Sequence, residues 1–518
     1  MRKLIAPALA ALLLTACGGS SSSSSGGGGS SPARGTEGGG SVTIAQGVDP
    51  TTMDPENQRE TTTVNVLQHF YDPLLERDAT DPRKFNPKLA TSWKRVNDTT
   101  TRFDLRTGVK FSDGKPFTAA DVKYTVDYLL GRLPHSKPEI LSYQFGTLGK
   151  VKVVDDHTVE FHTTGPDPLL LDRLTALYII PKGAKPKSLA STPVGTGPYK
   201  LVKWDRNNQV VMRAKPDYYG GKPAIGQVTF KTMPDASARL AALESGDVDL
   251  ITNLPADNTE DVKASGRAKV ASVPSARIAS IWFNTLDSAP LKKPEVRQAL
   301  NYAVDVDTII KQVMSGYGQR VATIVAPYFA DYDPSIKPFP YDPNKAKQLL
   351  AQAGYPHGFP MTLMVPEGRY EFADEVSQAI QSYLGKVGVK MKLQTVDFGV
   401  FAKATQTRKI PDGFYGAWGE SFFNPIDELE VAVVSGTKGF SWFSNPEIDK
   451  LTAQAAGQLD AAKQKSTVSQ IQQKMLQDPP FLFLFAYKDL YGISNRLDWK
   501  PRSDESIEMY GARLQDTG

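Results

Sequence analysis

The chain has 518 residues, of which 40% are hydrophobic and 22% are charged, and its formal net charge at pH 7 is +4. A chain of this length is too long for one hydrophobic core, so we expect two or three domains. The small net charge, without runs of like charge, argues against a nucleic-acid partner. Beyond the N-terminal region, no apolar segment of the sequence is long enough to span a membrane.

The N-terminus has the pattern of a secretory leader. Arg2 and Lys3 precede an apolar run at residues 4–14. This run is far shorter than the roughly 20 residues that a membrane-spanning helix needs, so it is poorly suited to be a permanent anchor. We therefore expect residues 1–16 to be a signal peptide that is removed.

A cysteine follows this leader directly. Residues 14–17 (LTAC) resemble the lipobox of bacterial lipoproteins, in which a peptidase cuts before a cysteine that carries a lipid. Cys17 is the only cysteine of the chain, and residues 18–40 are almost entirely Gly and Ser, as in a flexible tether. We expect a lipidated Cys17 and a tether at 17–40 to hold the protein on the extracytoplasmic face of the cell membrane. The alternative is an ordinary signal peptide with a coincidental cysteine.

Strand and helix patterns alternate in the first part of the body. Residues 42–45 alternate like a strand, and apolar residues spaced from Leu67 to Leu74 predict a helix. Strand-like runs follow at 101–105 and 109–111. Asp113-Gly114 is typical of a hairpin turn.

The second part continues the alternation. Thr118 and Asp121 match a capping box and predict a helix start, as do Pro294 and the pair Asp342-Pro343. Period-two strands at 361–365 and 389–393 flank a helical stretch at 372–384, and residues 481–487 form an apolar run typical of a buried central strand. The pattern as a whole indicates an α/β protein.

A series of ordered motifs covers nearly the whole body. They are 87–93 (PKLATSW), 103–122 (FDLRTGVKFSDGKPFTAADV), 195–199 (GTGPY), 243–249 (LESGDVD), 283–284 (FN), 294–300 (PEVRQAL), 341–343 (YDP) and 353–354 (AG). With these motifs the sequence resembles the family 5 extracellular solute-binding proteins, the dipeptide-, oligopeptide- and nickel-binding proteins of ABC importers. Most of the motifs are structural. Gly195 and Gly197 lack the full spacing of a phosphate loop and indicate a turn.

The resemblance implies a two-lobed periplasmic-binding-protein fold (type II, cluster C) with a ligand cleft between the lobes. The implied first lobe combines residues 41–82, 191–285 and 487–518. An inserted domain would occupy 83–190, and the second lobe 286–486. The implied function is that of a monomeric substrate-binding protein of an ABC importer, without a cofactor, which captures a solute by hinge closure and delivers it to the permease.

The resemblance also points to one ligand-binding segment. In peptide-binding members, a tryptophan is followed three residues later by an aspartate that holds the amine of the peptide. The matching stretch begins at Trp418, but the aspartate position is Ser421. A serine hydroxyl alone is a weak partner for a buried ammonium. Glu420 can replace the acid if the strand is bulged or shifted, since neighbouring residues of a strand face opposite ways.

Further residues are weaker candidates for the cleft. They are Phe422 beside Ser421, Arg59, Glu60 and Thr61 in the polar segment before the first helix, and Ser280 and Trp282 just before residues 283–284. The alternative for Trp418, Phe422 and Phe423 is that they are core aromatics. Peptide is the leading ligand prediction, and sugars, other uncharged solutes and metal chelates remain open.

Two further function classes remain. A surface sensor would use the same cleft without import. A secreted hydrolase is disfavoured because HExxH, GxSxG and the SxxK set are absent as complete motifs, so we predict that the protein is not an enzyme.

A metal site of the protein itself is also disfavoured. The histidines are scattered, and His157 and His162, five apart on an expected strand, would face opposite ways.

Overall fold

The computed structural model describes residues 39–515, except 59, 82, 368, 420–422 and 437–440. In these ranges, no helix is both long and apolar enough to cross a lipid bilayer.

The strands of the described ranges are β1 (Ser41–Gln46), β2 (Leu75–Arg77), β3 (Phe85–Pro87), β4 (Ala90–Asn97), β5 (Thr100–Leu105), β6 (Leu148–Asp155), β7 (Thr158–Thr163), β8 (Tyr199–Asp205), β9 (Gln209–Ala214), β10 (Gln227–Thr232), β11 (Leu250–Ile251), β12 (Ala268–Phe283), β13 (Gly318–Arg320), β14 (Pro360–Pro366), β15 (Lys390–Val396), β16 (Gly413–Gly419), β17 (Phe481–Ser494), β18 (Leu497–Asp498) and β19 (Arg513–Leu514).

The α-helices are α1 (Thr61–Leu67), α2 (Ala119–Leu129), α3 (Leu170–Leu174), α4 (Pro186–Leu189), α5 (Ala236–Ser245), α6 (Thr259–Ala264), α7 (Pro294–Tyr302), α8 (Val306–Gln312), α9 (Pro343–Gln352), α10 (Ala373–Gly385), α11 (Phe398–Gln406), α12 (Pro425–Ala432), α13 (Pro446–Ala456) and α14 (Ala461–Gln477). Short 3-10 turns lie at Ile140–Phe145 and Ala256–Asn258.

One mixed sheet runs through most of the body. Its strand order is β15-β14-β16-β12-β17-β11-β1-β10-β9-β8, and β13 also pairs with β17. We call the part built on β1 and β8–β11 the first lobe, and the part built on β13–β16 the second lobe. Strands β12 and β17 belong to both.

The two long strands cross from one lobe to the other. Residues 268–274 of β12 pair with 488–494 of β17 next to the first lobe, and residues 278–282 pair with 481–486 next to the second lobe. Between these stretches the register shifts, and Ser275–Arg277 have no partner in β17. Among the described residues, β12 and β17 are the only long strands of this sheet. The interruption of their ladder is a natural pivot between the lobes.

Alternation along β12 buries both faces of the sheet in the second lobe. Ala279, Ile281 and Phe283 belong to one apolar cluster, and Ile278 and Trp282 belong to another on the opposite face. The predicted buried strand at 481–487 is confirmed, because every residue of this run is buried. A strand covered on both faces needs a continuous apolar run rather than an alternating one.

A separate antiparallel sheet, β4-β5-β7-β6, lies within the predicted inserted domain. Its core contains Phe103 and Phe161, whose rings meet edge to face at 5.2 Å, with Val122 and Val126 of α2 packed against them. The predicted boundaries of the domains themselves stay predictions.

Several local predictions are confirmed. The first strand is β1, and the main-chain amide of Thr118 donates to Asp121 Oδ2 at 2.7 Å to start α2. Pro294 is the first residue of α7, and Asp342 caps α9 by accepting a hydrogen bond from the Lys345 amide at 2.8 Å.

Two local predictions are wrong. The helix expected from Leu67 to Leu74 ends at Leu67, because the next carbonyl groups bind other chain segments and Pro73 cannot continue a helix. His69 and Phe70 accept hydrogen bonds from Tyr199 and Gly197 amides, each at 2.9 Å. The run at 109–111 is not a strand, since only an isolated bridge joins Lys110 to Pro116.

The contact at Gly197 requires glycine, and this gives a test of the fold. A Cβ on Gly197 would lie 2.6 Å from the carbonyl carbon of Phe70 and 2.7 Å from the carbonyl oxygen of His69. Gly197→Ala is therefore expected to lower the free energy of unfolding by about 1 to 3 kcal/mol in urea denaturation. Gly146→Ala is the control, because nothing lies within 4 Å of its Cβ position. Equal effects of the two changes would contradict the packing described.

Candidate ligand site where the lobes meet

The predicted ligand segment continues a strand that lies beside the lobe crossing. Trp418 is on β16, where its main chain pairs with Ile278 of β12, and Gly419 pairs with Arg277. Three predicted ligand residues that follow, Glu420, Ser421 and Phe422, lie outside the described residues. Arg59 and Cys17 also lie outside them. These residues stay predictions.

Glu60 and Thr61 form the start of α1. Glu60 is the residue before the helix, and its carbonyl oxygen accepts hydrogen bonds from the amides of Thr63 at 2.9 Å and Val64 at 3.0 Å. Both side chains are exposed. Their visible role is to begin a helix of the first lobe, and their role in ligand binding stays a prediction.

Ser280 and Trp282 are both buried within the second lobe. The Trp282 ring lies 5.4 Å from the Phe414 ring and 4.8 Å from the Phe481 ring, so the indole is part of an apolar core. Ser280 is 2% exposed, and its hydroxyl has no hydrogen-bond partner among the described residues.

Phe423 contacts side chains that come from both sides of β12 in the chain. Its residue has a left-handed backbone with φ of +53°, and its ring packs against Tyr328 at 5.9 Å and Phe329 at 6.2 Å. The guanidinium of Arg77, on β2, lies 5.7 Å from the same ring and also pairs with Asp172. Phe423 is therefore a packed aromatic at a place where segments before and after β12 touch.

Polar groups fill the interruption between the long strands. Arg277 Nη2 lies 3.1 Å from Glu505 Oε1, and Ser275 donates to the same oxygen at 3.4 Å. The hydroxyl of Tyr328 donates to the Ser275 carbonyl. The C-terminal segment and the second lobe thus both reach the unpaired part of β12.

Tyrosines border this region on the second-lobe side. The hydroxyls of Tyr487 and Tyr415 are 2.7 Å apart, and Tyr487 also donates to the Glu371 carbonyl at 3.0 Å. The ring of Tyr370 lies 5.9 Å from that of Tyr415. Aromatic faces and hydroxyl groups therefore lie beside charged side chains.

Four charged residues form what we call the junction cluster: Arg277, Glu371, Asp489 and Glu505. Burial, with the charge of Glu505 as a second cause, raises the pKa of Asp489 to about 7. Burial also raises the pKa of Glu371. Burial opposes the charge of Arg277, but Glu505 and Asp489 outweigh this and raise its pKa.

The junction cluster is deep and yet accessible. The side chains of Arg277 and Glu505 are 32% and 22% exposed, Asp489 is half-buried, and Glu371 is exposed. Asp489 thus combines enough burial to raise its pKa with some remaining accessible surface. The cluster has members on both sides of the junction, since Asp489 is on the first-lobe stretch of β17 and Glu371 lies just before α10.

Sequence reasoning missed the junction cluster. One signal in the sequence could have indicated it: the charged pair Lys488-Asp489 directly follows the apolar run at 481–487. The pairing of Arg277 with Glu505 joins residues 228 positions apart, which no local pattern indicates.

The histidine prediction needs a correction. His162 is on β7, where its Nδ1 lies 3.1 Å from Thr100 Oγ1, but His157 lies in the turn before that strand. Groups of three or more side chains able to hold a metal ion do not occur in the part of the chain that the structure describes.

Comparisons with known proteins agree with this architecture. Residues 84–440 match the family described as bacterial extracellular solute-binding proteins, family 5 (middle). A glutathione-binding protein, GsiB of Pectobacterium atrosepticum, is 30% identical over 462 residues, which are 85% of this chain and 87% of the relative.

Solved structures are similar over nearly the whole chain. The oligopeptide-binding protein AppA of Bacillus subtilis, in complex with a nonapeptide, is 25% identical with a TM-score of 0.75, and the match covers 92% of this chain and 99% of AppA. AgaA of A. tumefaciens, in complex with agropinic acid, is 26% identical with a TM-score of 0.76 and the same coverage. The predicted two-lobed α/β fold is confirmed.

The raised pKa of Asp489 predicts a pH-dependent stability. A carboxyl group with a pKa near 3.9 when unfolded and about 7 when folded favours the folded state at low pH, and this contribution is lost as the pH rises through 7. We expect Asp489→Asn to be more stable than wild type by about 1 to 3 kcal/mol at pH 8 and to show almost no difference near pH 4.

Urea denaturation of the ligand-free protein at both pH values measures this difference. Asp498→Asn is the matched control, because Asp498 is exposed on β18 and the change removes the same charge. A stability difference for Asp489→Asn that is the same at both pH values would contradict the assignment.

Proposed function

We propose that this chain, which belongs to the bacterial extracellular solute-binding proteins of family 5, is a lipid-anchored protein that captures a peptide and delivers it to an ABC importer. The relatives named for glutathione and for a nonapeptide complex support a peptide ligand. The observation that carries the proposal is the polar, accessible junction between two lobes that share interrupted strands.

The architecture supports capture by hinge closure. A ligand that contacts both lobes makes its full set of contacts only when the lobes are closed, so binding shifts the population toward the closed state. The shift of register at Ser275–Arg277 supplies a place for the rotation, because the strands hold their ladder on either side of it. No bond in the solute needs to break.

The proposed ligand surface combines the predicted segment with the junction cluster. Trp418 is one pair away from the β12–β16 pair of Arg277 and Gly419. We propose Trp418, Glu420, Ser421 and Phe422 as ligand residues, with Arg59, Glu60, Thr61 and Ser280 as further candidates. Trp282 is left out because its ring is enclosed by the core.

A non-peptide solute is a second candidate. The similarity to AgaA in its agropinic acid complex is as high as the similarity to AppA in its nonapeptide complex. Peptide-binding members have an amine-binding acid where this chain has Ser421, and this difference also favours a non-peptide solute.

A peptide library tests the function and one site residue together. The purified protein is incubated with mixed peptides, and mass spectrometry identifies both retained and consumed species. We expect retention of intact peptides and about tenfold weaker retention by Trp418→Ala, because an aromatic contact surface is lost.

Trp204→Ala is the control for this experiment, since Trp204 lies on β8 at the opposite edge of the sheet. Retention that is unchanged in Trp418→Ala would remove this residue from the site. Steady consumption of peptides would replace binding by hydrolysis, and retention of none of them would favour a non-peptide solute.

The proposed lipid anchor rests on Cys17 and has its own test. We expect the wild-type protein to incorporate a labelled fatty acid in cells and Cys17→Ser to incorporate none, because the thiol is the attachment point. Ser20→Ala, in the same Gly/Ser segment, should label as the wild type does. Equal labelling of Cys17→Ser would show that the lipid is not on this residue.

A further inference from the structure

We propose that Asp489, together with Glu505 and Glu371, binds a positively charged group of the solute at the point where β12 and β17 pass between the lobes. This inference rests on the proposed function and makes it more specific. It assigns the role of amine partner to β17, whereas the family resemblance pointed to the segment that begins at Trp418.

The hydrogen bonding of Asp489 points to a missing donor. Its Oδ2 is shielded from solvent and accepts no hydrogen bond from the described residues. An ionised carboxylate has only acceptor sites, and leaving one buried without a donor is unfavourable. An ammonium or guanidinium group of a ligand would supply both the donor and the opposite charge.

The charge balance of the junction cluster points the same way. It holds three carboxyl groups and one guanidinium, and Arg277 is already paired with Glu505. The nearby Arg502 is also engaged, since it lies 2.6 Å from Asp504. Holding Asp489 ionised beside Glu505 in a partly buried place is costly unless a further cation joins them.

Among the groups that influence Asp489, Arg277 is the one positive charge, and it is already paired with Glu505. The groups that influence Asp489 or its partners are Ser275 and Arg277 on β12, Tyr487 and Tyr491 on β17, Glu505 in the C-terminal segment, and Tyr370 and Glu371 before α10. Burial raises the pKa of Tyr487 and Tyr491, so these hydroxyls are neutral at pH 7.

This arrangement offers an alternative to the acid that is absent at Ser421. A charge on a different strand can serve the same ammonium, because electrostatic stabilisation depends on position in space rather than in sequence. With Asp489 on the first-lobe stretch of β17 and Glu371 just before α10 of the second lobe, a cation between them would attract both lobes.

Matched cationic probes test the inference with the full-length protein. The probes are alanine peptides of two to five residues with free or acetylated N-termini, and also lysine, arginine and spermidine. Calorimetry should show binding of at least one cationic probe, with affinity reduced on the order of 30-fold by Asp489→Asn and unchanged by Asp498→Asn.

Proton competition gives a second signature. Between pH 5.5 and 7.0 the affinity of wild type for that probe should rise about tenfold, since Asp489 must be ionised and its pKa is about 7. Asp489→Asn should lack this rise. Melting temperatures of the same samples verify that both variants are folded.

Each result separates the inference from the proposed function. Binding of free peptides that Asp489→Asn leaves unchanged overturns the cation site while peptide capture stands. Binding of only lysine, arginine or spermidine, with loss in Asp489→Asn, supports the cation site and overturns the peptide ligand. If acetylated and free peptides bind equally, or if no cationic probe binds, the cation site is wrong.

Discussion

The structure depends on an interrupted ladder between two long antiparallel strands. Where Ser275–Arg277 of β12 have no partner in β17, backbone groups need other hydrogen-bond partners. Tyr328 donates to the Ser275 carbonyl, and the Ala276 amide donates to the Ser503 carbonyl at 3.2 Å. The interruption therefore draws a second-lobe tyrosine and the C-terminal segment to the same point.

That arrangement explains why charged residues lie in the middle of the sheet. The C-terminal segment that satisfies Ala276 also carries Glu505, which pairs with Arg277. One oxygen of Asp489, Oδ2, is shielded from solvent and accepts no hydrogen bond from the described residues. A site of this kind lowers the stability of the ligand-free protein, and a ligand with the complementary charge recovers that free energy on binding.

Features encoded within a few residues could be predicted from the sequence. The capping pair of Thr118 and Asp121, the helix start at Pro294 and the apolar run of β17 depend on local chemistry and appear where expected. The turn after Leu67 has the same apolar spacing as a helix, but long-range hydrogen bonds to Gly197 and Tyr199 decide its conformation.

Site residues were harder to predict for the same reason. Trp282 is an aromatic beside a family motif, and only the pairing of β12 with β16 and β17 shows that it faces a core. Arg277, Asp489 and Glu505 come from three distant segments, so their meeting is a consequence of strand register. The sequence predicts a ligand role for the segment that carries Trp418, but no local pattern indicates that Arg277 of the neighbouring strand pairs with Glu505.

In the proposed function, specificity and closure would share one location in this fold. A charged solute held at the interruption would contact strands that belong to both lobes, and its binding free energy would act directly on the angle between them. A substitution at one position, such as Ser421, then changes only part of a charge distribution to which several segments contribute. The solute would then be selected by the sum of these charges, because each carboxylate or guanidinium at the junction alters the cost of holding the others where water is partly excluded.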